Sequence, residues 1–497
     1  MELEFEKKAC RYLDRVMREQ QTQEQTQEIR LGDGMPDVGR VIGAWGQVIL
    51  RGKEWRGDCV VVSGGVMAWV LYAPEDGSEP RCLDTWLPFK MKWDLPEGTR
   101  EGEIRVSSLL RSVDARSVSP RKILARGVVS AAVEVLCPAE AEVYLPGEES
   151  PGVELLRRTY PMRLYREAGE KTFLVDEELM PQGPKPEKIL FCRICPRITE
   201  EKVLADKLVF RGTGNLRLLG RGEDGQLHSW DMELPFSQIA QLRGEYGADA
   251  HGQLQMGVTS LEPELDAEGR LRVKCGMVAQ YLVDDRELVE MVEDAYAPGR
   301  ELSVHTGSLA MPAVLESREE NVFAEQKLPM EGGRVVDWDF LPEQPRRRRT
   351  DWEVTLEFPG VFQVLYYGEN GELSAANVHW EGELALPADA RTQVEAEIGY
   401  PEKPALVQGD GSLELSVRLS VKLQAVSRGE MPQVTGLTLG EEQPKDPMRP
   451  SLILRRAGGD DLWRIAKNAG STVEAIRRAN DLTQEPEPDR MLLIPVS

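Results

Sequence analysis

The sequence predicts a mainly β protein: three tandem antiparallel β domains of sandwich or barrel type, followed by a small βααβ module. Three observations predict it. One β-rich pattern recurs along the chain, with Gly65, Gly214 and Gly360 lying 149 and 146 residues apart. Period-two alternation broken by glycine turns fills each copy, as strands with one buried face require. The tail, residues 451–497, changes to helical spacing between two short apolar runs.

The first copy carries Val60–Tyr72, a polar turn at Gly77, and a strand closing on Leu87-Pro88-Phe89. The second repeats this as Leu208–Leu219, Glu223-Asp224-Gly225 and Leu234-Pro235-Phe236. The third runs Val354–Tyr367 and turns at Glu369-Asn370-Gly371, without the closing Pro-Phe. Asp-Gly and Asn-Gly tolerate the positive φ that tight hairpins need. Each copy ends in a long alternating strand: Ile123–Val129, Leu271–Val278 and Leu413–Val421.

Elsewhere the pattern weakens. Leu3, Cys10, Leu13, Val16 and Met17 approach helical spacing over Glu4–Glu19, and Gln20–Gln25 is polar. Residues 1–25 therefore read as a loose helix and linker before β domains at 26–150, 171–300 and 320–430. Pro138–Lys171 and Asp284–Glu320 read as charged connections, and 431–450 as a linker to the module at 451–497. A period this long describes separate domains rather than a solenoid.

Composition narrows the function. The formal net charge is −23, from 84 acidic and 61 basic residues, which opposes nucleic-acid binding. No run of about 20 apolar residues offers a membrane span, and Met1–Glu6 lacks the basic-then-apolar order of a secretory signal. The seven scattered cysteines fit reduced thiols. Cys192 and Cys195 read as two thiols on one β face rather than half a zinc site, because no second ligand pair follows at a workable spacing. The four histidines stand far apart without a partner acid or nucleophile. Arg346–Arg349 reads as a solvated connection, with an acidic partner patch as the alternative. No catalytic triad, acid pair, metal set or cofactor loop emerges, so a non-catalytic protein is expected.

The tail is the most specific stretch. Leu452-Ile453-Leu454 is a strand, and Gly458–Asp461 is a turn whose carboxylates can cap a helix. Leu462, Ile465 and Ala466 share a helical face beside Trp463. Gly470 stops that helix, Ser471 or Thr472 caps the next, and Val473, Ile476 and Ala479 line its inner side. Asn480-Asp481-Leu482 ends it before the strand Met491–Pro495.

This tail resembles the LysM family, through Gly459-Asp460, Leu462-Trp463, Ile465-Ala466, Ala479-Asn480, Leu482 and Leu493-Ile494-Pro495 in order and spacing. The resemblance implies a partner-binding surface at Gly459, Asp460, Asp461, Leu462, Trp463, Asn480, Asp481 and Leu482. Asp461 stands where the family usually has Thr, which adds a negative charge to the turn that helps line the sugar groove in glycan-binding members.

Three β copies before one such module also resemble the SPOCS-domain sporulation proteins, with Pro36–Ile42, Val62–Tyr72 and Val292–Gly299 carrying the likeness. That resemblance implies an adaptor made in the mother cell and recruited to the forespore surface. There it would link a spore-coat morphogenetic ATPase to that surface through the LysM for coat and cortex assembly, with self-association through the β domains. The alternative is a protein that binds peptidoglycan or chitin-type glycan through the same module.

Overall fold

A computed structural model describes residues 2–3, 5–146, 152–330, 333–387, 392–399, 404–409, 411–427, 429–442 and 450–496. Most of them lie in antiparallel strands. In the first copy, Lys122–Pro146 lies between Phe5–Arg30 and Glu103–Ser119, while Cys59–Pro74 lies between Val38–Arg56 and Arg81–Asp94. The inner faces of these two sheets meet in a core of Val60, Val62, Val66, Leu87, Ile123, Ala125 and Val129.

The second copy repeats the plan. Leu271–Tyr296 pairs with His251–Leu265 and Glu154–Leu179, and Pro186–Gly222 pairs with Leu227–Tyr246. Pro186–Gly222 is two strands' worth of chain. A Cβ at Gly212 would stand 2.2 Å from the Arg197 carbonyl oxygen, and one at Gly220 2.3 Å from that of Lys188. The run therefore doubles back on itself, and Ala205 takes a left-handed φ of 50° between its halves. In the third copy Ser412–Ser427 lies against Ala313–Pro329, Thr392–Ile398 and Ala405–Gly409. Glu353–Tyr367 pairs with Arg334–Pro342, Arg346–Arg349 and Leu373–Pro387.

Alternation drives these strands: Leu413, Leu415, Val417, Leu419 and Val421 are buried, while Glu414 and Arg418 face water. The turn glycines Gly77, Gly225 and Gly371 take φ values of 71°, 76° and 74°, a region costly for any residue with a Cβ.

Three local expectations are corrected. The helix and linker expected before residue 26 are instead the strand Phe5–Arg30, paired along its length with Lys122–Pro146. Cys10 and Leu13, three apart on an unbroken register, are buried on opposite faces in two different clusters. Beyond a register break between Arg15 and Met17 the strand buries Met17 in the first copy's core, so burial on both faces together with a bulge imitates helical spacing. Cys192 and Cys195 lie on opposite faces, as an odd separation along a strand dictates: Cys192 joins the core of the second copy, and Cys195 faces Asp339 of the third. Arg346–Arg349 is an exposed strand whose charges approach Glu343, Glu381, Glu357 and Glu383.

The stretches expected as connections form a hub at the centre of the molecule. Phe5–Asp14 with Cys137–Pro146, Glu154–Tyr165 with Asp284–Tyr296, and Arg300–Ala310 with Glu430–Glu442 are three ribbons that run beyond the sandwiches. The last of these takes in the start of the expected 431–450 linker, of which residues 443–449 lie outside the described residues. The ribbons bury Cys10, Val143, Met162, Met291, Leu309 and Met311 against one another. Beside them Leu13, Leu136, Tyr165, Leu282, Val314 and Val426 form a second cluster drawn from all three copies.

Polar staples join the copies pairwise. Arg15 of the first copy bridges its own Glu134 and Glu395 of the third. Arg193 of the second pairs with Asp337 of the third at 2.9 Å. Lys53 of the first reaches Glu170 and Gln280 of the second at 2.9 and 2.8 Å. No helix among the described residues is long and apolar enough to cross a membrane.

Candidate binding site

The C-terminal module is closed by Leu452–Arg456 paired with Met491–Pro495, and between them lie α1 (Leu462–Ala469) and α2 (Val473–Ala479). The Asp461 carboxylate caps α1 by accepting from the Arg464 N–H at 2.8 Å. Thr472 caps α2 through Ala475 at 3.0 Å. Gly470 ends α1 at a φ of 63°. Leu462, Ile465, Ala466, Ile476, Leu492 and Ile494 are fully buried, so the module has a core of its own.

Two loops face one another at one end of this core. The first, Gly458–Asp461, turns on two glycines at φ 66° and 86°, and Arg455 holds Asp460 at 2.6 Å. The second, Asn480–Glu485, is fixed by the Asn480 amide. Its oxygen accepts from the Leu493 N–H at 2.7 Å, and its nitrogen donates to the carbonyls of Leu493 and Ile476 at 2.6 and 2.8 Å. Glu485 ties the loops together, accepting from the Leu462 N–H at 3.0 Å and pairing with Arg477 at 3.5 Å. Two rigid walls result, held before any ligand arrives.

The eight residues singled out from the sequence divide by role. Gly459, Asp461 and Asp481 are exposed on the walls. Asp460 is half-buried against Arg455. Leu462 is fully buried, Leu482 packs against the core, and the Asn480 side chain is committed to backbone. Glu485 was not legible in the sequence: it sits in Thr483–Pro488, a polar, proline-rich stretch without periodicity.

Trp463 turns away from the walls toward the β body. Its indole N–H donates to Asp294 at 2.9 Å, and its ring meets Tyr296 edge-on at 4.8 Å. Lys467 reaches the same carboxylate at 2.7 Å. Burial alone would raise the Asp294 carboxyl, but Lys467 and Trp463 hold it below the usual range. Tyr296, which ends the strand Leu271–Tyr296, packs into the module's core, and burial raises its phenol.

Among the described residues no three His, Cys, Asp or Glu side chains gather as a metal site would require. No curated protein and no solved structure matches the chain. Residues 458–495, which hold both loops, both helices and the closing strand, match the LysM domain family, and the C-terminal module is a LysM domain.

Proposed function

We propose that this is a non-catalytic glycan-binding protein whose LysM domain holds a peptidoglycan- or chitin-type glycan between Gly458–Asp461 and Asn480–Glu485. The observation that carries the reading is the LysM match over 458–495 together with the two braced walls. The ionisable clusters of the body support a binding rather than a catalytic role, because Arg15, Glu134 and Glu395, like Arg193 and Asp337, are spent on joining one copy to another. The test is co-sedimentation of the purified chain with insoluble peptidoglycan, and its release by N-acetylglucosamine oligomers. A chain that stays in solution refutes the reading.

A second reading is favoured by the carboxylates at the walls, Asp461, Asp481 and Glu485, which suit the basic groups of a protein better than a neutral sugar. In it the protein is the adaptor in endospore formation of the SPOCS resemblance, made in the mother cell and recruited to the forespore surface, where its LysM domain links a coat-morphogenetic ATPase to that surface. Binding of the purified chain to that ATPase, undiminished by N-acetylglucosamine oligomers and without affinity for peptidoglycan, would establish this reading in place of the first.

A further inference from the structure

A cleft of about 380 Å³ opens between the first and second copies. Its floor is the outer face of the sheet Val38–Arg56, Cys59–Pro74 and Arg81–Asp94. The ladder sets Met67 opposite Trp86 and Trp69 opposite Asp84, so both indoles share one face of adjacent strands. The second copy supplies the opposite wall through Leu190, Phe191 and Leu261.

The two indoles are held in place. Phe191 lies between Trp45 and Trp69, at 5.3 and 5.7 Å between ring centres. Trp86 lies on the bare backbone of Gly65, where a Cβ would come within 2.2 Å of its ring. The Arg51 guanidinium sits 5.4 Å from the Trp86 ring centre. Asp84 and Glu262 are exposed at the rim, and no hydrogen-bond or ion-pair partner holds either carboxylate among the described residues.

The fold does not require these rings. Pro88 stands opposite Gly65 and Pro235 opposite Thr213, so the second copy answers Trp69 with Arg217 and Trp86 with Glu233. Of these two copies, the first alone carries the aromatic pair.

The geometry points to a second saccharide site, resting on the glycan reading above, in which Trp69 and Trp86 take the apolar faces of a short N-acetylated oligosaccharide and Asp84 and Glu262 accept its hydroxyls. A flat aromatic surface beside unpaired carboxylates suits a ring with one C–H face and an equatorial rim of O–H donors. Two sites on one chain raise the effective concentration of each for a polymeric glycan.

The test is fluorine NMR of the full chain labelled with 5-fluorotryptophan, each of the ten Trp resonances assigned by a single Trp→Phe exchange. The probe is an N-acetylglucosamine tetramer. The Trp69 and Trp86 signals are expected to shift, and to go on shifting in Asp461→Lys, which adds a cation to the LysM wall. Trp86→Ala is expected to weaken the cleft's affinity roughly tenfold while the LysM still binds. Gly65→Ala, which displaces the ring without removing it, should do the same.

Tetramer-induced shifts of the Asp461 and Asp481 backbone amides, the exposed residues of the two LysM walls, with Trp69 and Trp86 unmoved overturn the cleft and leave the LysM reading standing. Shifts of Trp69 and Trp86 with both of those amides unmoved overturn the LysM reading as stated. Silence from the two indoles and from both amides overturns both. An anilinonaphthalene dye that binds the cleft and is not displaced by the tetramer marks an apolar ligand there and overturns the saccharide assignment.

Discussion

Trp463 donates its indole N–H to Asp294 across 2.9 Å, joining residues 169 positions apart in the chain. The bond fastens the LysM domain to the end of a hub ribbon, and Tyr296 from that ribbon completes the domain's core. The domain is therefore carried in a fixed orientation by the β body, and the walls at Asp461 and Asp481 stay exposed.

Trp463→Ala should release this contact. A half-buried indole with an edge-on aromatic partner and a charge-assisted hydrogen bond contributes about 2–4 kcal/mol to the folded domain. Differential scanning calorimetry of the full chain should show an early transition split from the body's. Asp294→Asn, which keeps the shape and loses the charge on Lys467, should produce a smaller split. A single unsplit transition in Trp463→Ala would mean that the domain stands without its dock.

Asn480→Ala should disorder the second wall. It removes an amide that satisfies the Leu493 N–H and two backbone carbonyls, at about 1–3 kcal/mol for the polar groups left unpaired. Amide hydrogen exchange should accelerate at Leu493 and across Asn480–Glu485, with α1 less affected. Unchanged protection at Leu493 would show that the amide braces nothing.

The fold class was legible because alternation such as Leu413–Val421 is local and strong. Register was not. Aligning Gly65 with Gly214 by sequence disagrees by one residue with the ladders, where Gly64 opposes Phe89 and Gly212 opposes Phe236, and one residue in a strand exchanges its faces. The hub was hidden for a related reason: Met162 and Met291 enter one cluster only after their strands pair, so each stretch read alone looks like a charged connection. In the LysM domain the caps Asp461 and Thr472 were readable from spacing. The turn of Trp463 toward Asp294 depends on a residue from another part of the chain, and no local pattern encodes it.

Acid should loosen the joint between the first and third copies through Glu134. Burial works to raise its carboxyl, but Arg15 and Arg105 outweigh it and hold the group at about 2, against an ordinary 4.5. A lowered folded-state pKa gives stability that is fully present above the ordinary value and is lost as the pH falls through that window. Glu134→Gln leaves Arg15 and Arg105 under-compensated, at a cost of roughly 3–5 kcal/mol near neutrality. The gap in melting temperature between the native chain and this variant should be wide at about pH 6 and narrow steadily toward about pH 2. A gap that does not change with pH would show that the ionised carboxylate does not hold that joint.

Asp461→Thr separates the two readings of the LysM domain. Thr is the residue the family usually carries here, and it keeps the capping oxygen that accepts from Arg464, so the domain should lose no more than about 1 kcal/mol. What changes is charge: one exposed carboxylate leaves a wall that already carries Asp481 and Glu485. A neutral hydroxyl both donates and accepts toward a sugar, whereas a carboxylate only accepts. If the groove holds glycan, the variant should bind peptidoglycan several-fold more tightly, with little dependence on salt. If it grips a basic surface on a protein, the same change should weaken binding, and the native complex should itself weaken as ionic strength rises through the Debye regime. Co-sedimentation with peptidoglycan at low and high salt decides the matter: tighter, salt-insensitive binding by the variant upholds the glycan reading, and loss of binding refutes it.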